Sequence, residues 1–190
     1  MTVQSIELVG AAWTMFAAYW LVEGVRAKRA QKREAAGDRL VHVVIMGAAF
    51  CLVAIYDPRL GRLNERFMRE REWVRDLGVA LAFVGVGFAI WARHHIGRYW
   101  SARVSIVEEH RLIHTGPYAR IRHPIYTGML VALAGTALVV GEYRALVGLG
   151  IALLGFARKA KKEEEMLAAR FGREFEEHQR RAGFFLPKLF

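Results

Sequence analysis

The sequence predicts an all-α fold: a polytopic membrane bundle of about five transmembrane helices, with an amphipathic cytoplasmic helix near the C-terminus. The 190-residue chain is 54% hydrophobic, and its apolar residues gather in long blocks instead of alternating with polar ones. Charged residues lie between the blocks, which is typical of a chain that passes between lipid and water. Glycines also recur in steps of seven in the later blocks, a pattern that lets helices pack closely in lipid.

Five apolar blocks are the candidate spans, and a crossing needs about 20 mainly apolar residues. The blocks are Ile6–Val22, Leu40–Tyr56, Leu77–Ala92, Ile125–Gly141 and Ala145–Ala157. The third block reaches this length if Trp73 and Val74 precede it, and the fifth is short unless its helix continues past Arg158. A soluble bundle of buried helices is the alternative, but no block has the polar face that such helices present to water.

The basic residues predict the orientation, because Lys and Arg concentrate on the cytoplasmic side. With five crossings and the N-terminus outside, most of the 28 basic residues lie inside, although the segment between the second and third blocks is also basic. No basic residue precedes the first block and no small-residue cleavage site follows it, so a cleaved signal peptide is not expected. The protein is predicted to be integral to the membrane, the cytoplasmic membrane in a prokaryote, with its site facing the cytoplasm.

The net charge of +10 predicts contact with anionic lipid headgroups. Nucleic acid is not an expected partner, because acidic and basic residues interleave and no recognition motif appears. His42 is a lone polar residue of the second block and is expected to satisfy a backbone carbonyl. Cys51 is the single cysteine, so no intramolecular disulfide or thiolate metal site is possible. The histidines of the C-terminal half have no convincing set of partners, and no metal site is predicted.

The chemistry is concentrated in residues 93–190, whereas the spans in residues 1–92 predict a scaffold within the same structural domain. The stretch His110–Gly128 is rich in His, Arg and Tyr, and Gly116-Pro117 indicates a turn within it. Pro124 suits the first turn of the fourth helix, where free N–H groups attract a carboxylate or phosphate. Composition and spacing fit either a ligand site or an interfacial belt.

A second patch follows the fifth block, where basic residues precede Glu163–Glu165. Leu167 and Phe171 lie four residues apart and predict an amphipathic helix, with Gly172 as its break. The patch is either a solvated charge run at the membrane surface or a set of acids that bind a ligand amine.

Only Gly141–Arg144 separates the fourth and fifth blocks, so these blocks are predicted to form an antiparallel helical hairpin. The hairpin returns the chain after Ala157 to the end of the bundle where the fourth helix begins. The His/Tyr/Arg patch and the Glu patch are therefore predicted to meet at one mouth of the bundle.

These two patches carry a resemblance to a known family. The first contains Gly116-Pro117-Tyr118, Arg122-His123-Pro124, Tyr126 and Gly128, and the second contains Glu163-Glu164 followed by Phe171-Gly172. In this order and spacing they resemble the isoprenylcysteine carboxyl methyltransferase family, and phospholipid methyltransferases share the broad plan. The resemblance covers roughly Gly97–Phe190.

The resemblance implies an integral membrane methyltransferase that uses S-adenosylmethionine without a soluble Rossmann domain. Carried over by position, the cofactor-binding residues are His110, Leu112, Ile113, Tyr118, His123, Pro124, Ile125, Tyr126, Glu163 and Glu164. Arg158 and Tyr126 are the implied catalytic residues, with Arg158 facing the substrate. The sequence departs from the family at Phe175 and His178, where tyrosine is frequent.

These residue types suit the charged groups of that cofactor. Glu163 and Glu164 are expected to bind its ammonium group, and His123 with the start of the fourth helix its carboxylate. Tyr118 and Tyr126 are expected to flank the adenine or the sulfonium. The expected acceptor is a lipophilic or lipid-linked molecule that enters from the bilayer, with an anionic group favoured because the spans offer no obvious base.

Two other functions remain open from the sequence. A sterol-reductase-like enzyme that binds NADPH requires a phosphate site, for which Arg111 and Arg120 are candidates, although the Glu163-Glu164 pair repels phosphate. A non-catalytic membrane protein, such as a metal-resistance accessory or a small transporter, is the third possibility, although transport usually requires ionisable residues within the spans. The sequence does not define the acceptor or the oligomeric state.

Overall fold

A computed structural model describes residues 3–26, 32–33, 36–97, 105–106 and 112–188, and this part of the chain is almost entirely helical. The α-helices are α1 (Val3–Arg26), α2 (Ala36–Ala54), α3 (Glu72–Ile96), α4 (Pro124–Val140), α5 (Tyr143–Phe171) and α6 (Arg173–Arg181). In the same part of the chain, 3-10 helices cover Pro58–Asn64 and Gly116–Ala119. A short antiparallel pair joins β1 (Lys32–Arg33) to β2 (Ser105–Ile106), a detail that the sequence did not predict. The all-α class is confirmed.

Among the described residues, three helices are long and apolar enough to cross a membrane: α1, α2 and α3. Helix α4 is a shorter apolar helix of 17 residues, which is about 25 Å long at 1.5 Å per residue. The protein is therefore an integral membrane protein, and the count of five crossings stays a prediction that rests on α4 and α5.

Helix α5 joins the fifth apolar block and the acidic patch in one element of 29 residues. It is about 43 Å long, longer than the roughly 30 Å hydrocarbon core of a bilayer. The predicted amphipathic helix thus begins as the C-terminal half of α5. The predicted break is at Gly172, whose φ is 49°.

Glycines bring α3 and α4 into close contact. A Cβ atom on Gly85 would lie 2.4 Å from the Ala132 nitrogen, and one on Gly128 would lie 2.6 Å from the Gly85 oxygen. Gly78 and Gly135 face each other in the same way, seven residues along each helix from Gly85 and Gly128. The seven-residue glycine spacing is therefore a packing signal, as predicted.

Helices α2 and α5 pack through a second glycine face. A Cβ atom on Gly148 would lie 2.7 Å from the Ala49 oxygen, and one on Gly155 would lie 2.8 Å from a methyl carbon of Ile45. This contact places α2 beside the half of α5 that precedes the acidic patch.

The predicted hairpin between α4 and α5 is present, with Gly141 in the left-handed conformation between the two helices. Arg144 is 3% exposed, and it fastens the turn to the end of α2 by donating to the carbonyl oxygens of Leu52, Val53 and Ile55. Its Nε also donates to Glu142 at 2.6 Å.

The hairpin turn also meets the segment that connects α2 to α3. The Phe67 amide donates to the Gly141 oxygen and the Tyr143 amide to the Glu65 oxygen, both at 3.1 Å. The turn therefore lies at the α2–α3 loop end of the bundle. The start of α4 and the C-terminal half of α5 lie together at the opposite end.

Candidate active site

The two polar patches meet at the end of the bundle where α4 begins. Pro124 opens α4 at its first position, and His123 immediately precedes it in a non-helical conformation. Glu163 and Glu164 approach from the C-terminal half of α5, so the hairpin brings together residues about forty positions apart. This convergence is the one predicted from the short connection between the helices.

Glu164 is the centre of a dense hydrogen-bond network. Its Oε1 accepts from Arg122 Nε at 2.6 Å and lies 3.0 Å from His123 Nε2, while its Oε2 accepts from Gln179 Nε2 at 3.1 Å. The side chain is 14% exposed. Glu164 thus joins the start of α4 to α6 through three partners.

Glu163 has fewer protein partners and greater access to solvent. Its Oε1 accepts from the Tyr126 hydroxyl at 2.5 Å, and its Oε2 lies 3.6 Å from His123 Nδ1. The side chain is 25% exposed. Both ring nitrogens of His123 therefore face carboxylates, an arrangement that suits the imidazolium form.

This hydrogen-bond network shifts the pKa values of His123 and Glu164. Burial by itself lowers the pKa of His123, but the carboxylates of Glu163 and Glu164 outweigh it and raise the pKa above its usual 6.5. Burial by itself raises the pKa of Glu164, but hydrogen bonds from His123 and Arg122 outweigh it and hold the pKa below 4.5. Both shifts favour the charged forms, an imidazolium at His123 and a carboxylate at Glu164.

Aromatic rings form the apolar side of the site. Tyr126 stacks on Phe156 of α5 with ring centroids 5.0 Å apart, and on His123 at 5.8 Å. Tyr118 is buried beside Ile125 and Ile113, and this burial, together with the charge of Glu163, raises its pKa, so its phenol stays neutral. The aromatic pair predicted around the cofactor thus borders the acid pair.

Arg158 lies on the same helix as the acid pair but interacts with a different residue. Its guanidinium is 2.7 Å from Asp38 Oδ1 near the start of α2, and Lys162 contacts the same carboxylate. The predicted substrate-facing arginine is therefore paired with a residue of α2, which belongs to the half of the chain predicted to be a scaffold.

The remaining predicted site residues have simpler surroundings. His110 lies outside the described residues. Leu112 and Ile113 are half-buried, and Pro124 is buried at the start of α4. Phe175 and His178, the two departures from the family pattern, are both buried on α6.

Several contacting residues were missing from the predicted site. Arg122 belongs to the Arg122-His123-Pro124 motif. Its positive charge, in a patch predicted to meet two acids, was a signal that could have identified it. Gln179 and Phe156 have no such signal, because their roles depend on how α6 and α5 turn towards the site. The tail after α6 also contacts the site, with Phe184 packing edge-on against His123 at a ring distance of 5.0 Å.

Known proteins are similar in sequence to this chain over part of their length. The cobalt-zinc-cadmium resistance protein CzcN of Cupriavidus metallidurans is 32% identical over 120 residues, which cover 62% of this chain and 52% of that protein. The probable protein-S-isoprenylcysteine O-methyltransferase of Oryza sativa subsp. japonica is 28% identical over 123 residues, covering 63% of this chain and 64% of the relative. This chain therefore spans between half and two thirds of the length of these relatives.

A solved structure shares the fold. The structure of the eukaryotic intramembrane Ras methyltransferase ICMT (isoprenylcysteine carboxyl methyltransferase) matches with a TM-score of 0.57 at 20% identity, covering 81% of this chain and 53% of that one. The family model of the isoprenylcysteine carboxyl methyltransferase (ICMT) family matches residues 78–169, which contain α4, the hairpin and the acid pair. Over these residues the sequence is similar to that of the isoprenylcysteine carboxyl methyltransferase family, and the resemblance predicted from the two patches is confirmed.

Proposed function

We propose that this chain is an integral membrane methyltransferase that transfers a methyl group from S-adenosylmethionine to a lipophilic acceptor. The observation that carries the proposal is the meeting of Glu163, Tyr126 and His123 at the start of α4. This site lies within the part of the chain that matches the methyltransferase family.

The two acids are proposed to have different roles. Glu164 is occupied by three protein donors, whereas Glu163 accepts from Tyr126 and is the more exposed of the two. Glu163 is therefore the carboxylate that we assign to the ammonium group of the cofactor, through a charge-assisted hydrogen bond. Glu164 holds Arg122 and His123 in place.

His123 is proposed to orient the acids. Both of its ring nitrogens lie near carboxylate oxygens, at 3.0 Å for Glu164 and 3.6 Å for Glu163. His123 is thus placed to fix the direction of the Glu163 side chain. The sequence led us to expect that His123 binds the cofactor carboxylate, and His123 could do so only if its contacts with the two acids changed. The start of α4 retains the positive end of the helix dipole for that carboxylate.

The aromatic rings suit a sulfonium. The faces of tyrosine rings attract cations, and a cation over such a ring gains about 0.5–2 kcal/mol. Tyr126 stacks with Phe156 and with His123, so the orientation of its ring is fixed before any ligand binds. S-adenosylmethionine, when bound, supplies a methyl group that is already activated for displacement, so the residues mainly align donor and acceptor.

The acceptor is proposed to be an amphipathic molecule with an anionic group. The plant relatives are named for S-isoprenylcysteine, and a carboxylate of that class needs no base to accept a methyl group. Arg158 and Lys162 share a single acid, Asp38, which leaves positive charge between α2 and α5 for such a group. This end of the bundle is proposed to face the cytoplasm.

The proposal is tested by titrating purified protein with S-adenosylmethionine and measuring binding by calorimetry. We expect saturable binding that weakens at least tenfold in Glu163→Gln, because the charged partner of the ammonium is lost. The neighbouring Glu165→Gln is the matched control, since Glu165 is exposed, and it should bind like the wild type.

A second titration, with NADPH, distinguishes the methyltransferase from the sterol-reductase-like enzyme. Saturable binding of NADPH, with none of S-adenosylmethionine, would overturn the methyltransferase and favour the reductase-like function. Methyl incorporation into an S-farnesyl-cysteine derivative, measured with radiolabelled S-adenosylmethionine, then tests the acceptor class separately from the cofactor.

Similarity to metal-resistance proteins supports a second candidate, an accessory role in metal resistance. Within the described ranges, no three or more His, Cys, Asp or Glu side chains are grouped to hold a metal ion. Titration with Zn²⁺, Co²⁺ and Cd²⁺ tests this candidate directly. Tight stoichiometric binding without binding of S-adenosylmethionine would favour it.

A further inference from the structure

The chain after α6 returns to the site and pairs with the residues that precede α4. We define the C-terminal strap as residues Ala182–Phe185. The Gly183 amide donates to the Arg120 oxygen at 2.9 Å, and the Arg122 amide donates to the Gly183 oxygen at 2.8 Å. The His123 amide then donates to the Phe184 oxygen at 3.2 Å. The strap thus provides the backbone partners of the two residues that hold Glu164.

Side chains add to this pairing. The Phe184 ring packs edge-on against His123 at 5.0 Å, and the Arg122 guanidinium lies over the same ring at 5.6 Å from its centroid. The Thr127 hydroxyl on the first turn of α4 donates to the Phe185 oxygen at 2.8 Å. Arg122 also donates to the Ala182 carbonyl. The strap therefore holds both the backbone and the side chains of this motif.

The strap is itself fixed at both ends. Before it, Gln179 on α6 donates to Glu164. After it, the Lys188 ammonium donates to the carbonyl oxygens of Gln179 at 2.9 Å and Arg180 at 3.1 Å, at the C-terminal end of α6. The tail is therefore closed back onto α6.

We infer that the C-terminal strap positions Arg122 and His123, with Gly183 and Phe184 as positioning residues for the cofactor side of the site. This role rests on the proposed function and extends it to residues beyond the stretch 78–169 that matches the family. The strap contacts Arg122 and His123, the partners of Glu164, whereas Arg158, the substrate-facing residue implied by the resemblance, pairs with Asp38. Its loss should weaken cofactor binding and leave the affinity for the acceptor unchanged.

Gly183 offers a sharp test, because it has no room for a side chain. A Cβ atom there would lie 1.8 Å from the Leu186 backbone oxygen, so Gly183→Ala must displace the strap. Gly150→Ala is the matched control, because a Cβ atom at Gly150 meets nothing within 4 Å.

Phe184 is tested by three variants. Phe184→Ala removes the ring against His123, Phe184→Tyr keeps a ring, and Leu186→Ala trims a neighbouring side chain that is 74% exposed. For Gly183→Ala and Phe184→Ala we expect at least tenfold weaker binding of S-adenosylmethionine and an unchanged KM for the acceptor. Phe184→Tyr should restore binding to within about threefold of the wild type, and the two control variants should bind like the wild type.

Hydrogen–deuterium exchange of the ligand-free protein gives a readout that does not depend on the cofactor. The amides of Arg122 and His123 should exchange faster in Gly183→Ala and Phe184→Ala, while the amides of α3 keep their protection. Unchanged exchange at these two amides would overturn the inference, as would equal losses in affinity for both substrates. If the wild type binds no S-adenosylmethionine but the exchange responds as expected, the strap still positions the motif and only the methyltransferase proposal fails.

Discussion

Glu163 and Glu164 are adjacent on α5, yet their side chains have different partners. Glu164 accepts from Arg122, His123 and Gln179, whereas Glu163 accepts from the Tyr126 hydroxyl and is more exposed. A carboxylate saturated by protein donors stabilises the fold, and a carboxylate with capacity left over can bind a ligand. The surroundings therefore divide the two roles, although the sequence presents two equivalent acids.

The first prediction concerns Glu164→Gln. The substitution removes the charge that Arg122 and His123 share, and hydrogen bonds to charged groups contribute about 1.5–3 kcal/mol each. We expect the free energy of unfolding to fall by about 2 kcal/mol or more, measured as a lower Tm in detergent. Glu163→Gln should lower Tm less, and the reverse order of the two variants would contradict the division of roles.

The second prediction is the dependence of stability on pH. The raised pKa of His123 means that its contribution is complete below pH 6.5 and is lost as pH rises through the raised value. The lowered pKa of Glu164 means that its contribution is complete above pH 4.5 and is lost as pH falls through the lowered value. We expect Tm to be highest between these limits and to fall on both sides.

The measurement is a series of Tm values from pH 4 to pH 9 in one detergent. His123→Gln cannot titrate, so its decline on the alkaline side should be weaker than that of the wild type. An identical alkaline decline in the variant would show that another group is responsible.

At the scale of helices, the glycine spacing predicted which faces pack, and the structure adds which helices share them. Gly85 on α3 meets Gly128 and Ala132 on α4, while Gly148 on α5 meets Ala49 on α2. A spacing of seven defines a face of one helix, but the partner helix depends on the arrangement of the whole bundle. The role of Arg144 was unpredictable for the same reason, since its carbonyl partners lie at or just after the C-terminal end of α2.

The third prediction tests this packing with Gly85→Ala. The new Cβ atom would lie 2.4 Å from the Ala132 nitrogen and 2.5 Å from the Gly128 oxygen, both backbone atoms, so the helices must move apart. Overpacking of this kind costs about 1–3 kcal/mol. We expect a clear fall in Tm.

The control for that variant is Gly87→Ala on the same helix, where a Cβ atom meets nothing within 4 Å. Alanine favours a helix over glycine by up to about 1 kcal/mol, so Tm should stay the same or rise. Equal losses in the two variants would indicate a general intolerance of α3 rather than close packing against α4.

At the scale of the whole molecule, the meeting of the two patches could be predicted from the sequence. Two helices joined by a short turn run antiparallel, so the end of the second lies near the start of the first. That argument needed the positions of Gly141–Arg144 and nothing about side chains. The contributions of Asp38 and Phe184 could not be predicted in this way. Each comes from a distant part of the chain, and its contact depends on where an intervening helix turns back.

The fourth prediction concerns how the bundle crosses the membrane. The turn between α4 and α5 pairs with the segment that precedes α3, so both helices reach the end of the bundle where α3 begins. With five crossings, a residue in the α2–α3 loop and one in the hairpin turn should lie on one side of the membrane. A residue on α6 should lie on the other side.

Single cysteines in a Cys51→Ala background distinguish these sides with a membrane-impermeant maleimide. Arg59→Cys, Tyr143→Cys and Arg173→Cys each place a thiol at an exposed position. In intact cells we expect labelling at Arg59→Cys and Tyr143→Cys, and labelling at Arg173→Cys only after permeabilisation. If Tyr143→Cys instead labels together with Arg173→Cys, the α4–α5 hairpin does not cross the bilayer. If all three sites label in the reverse order, the five crossings hold and the orientation is inverted, because the basic segment between α2 and α3 then determines which side is cytoplasmic.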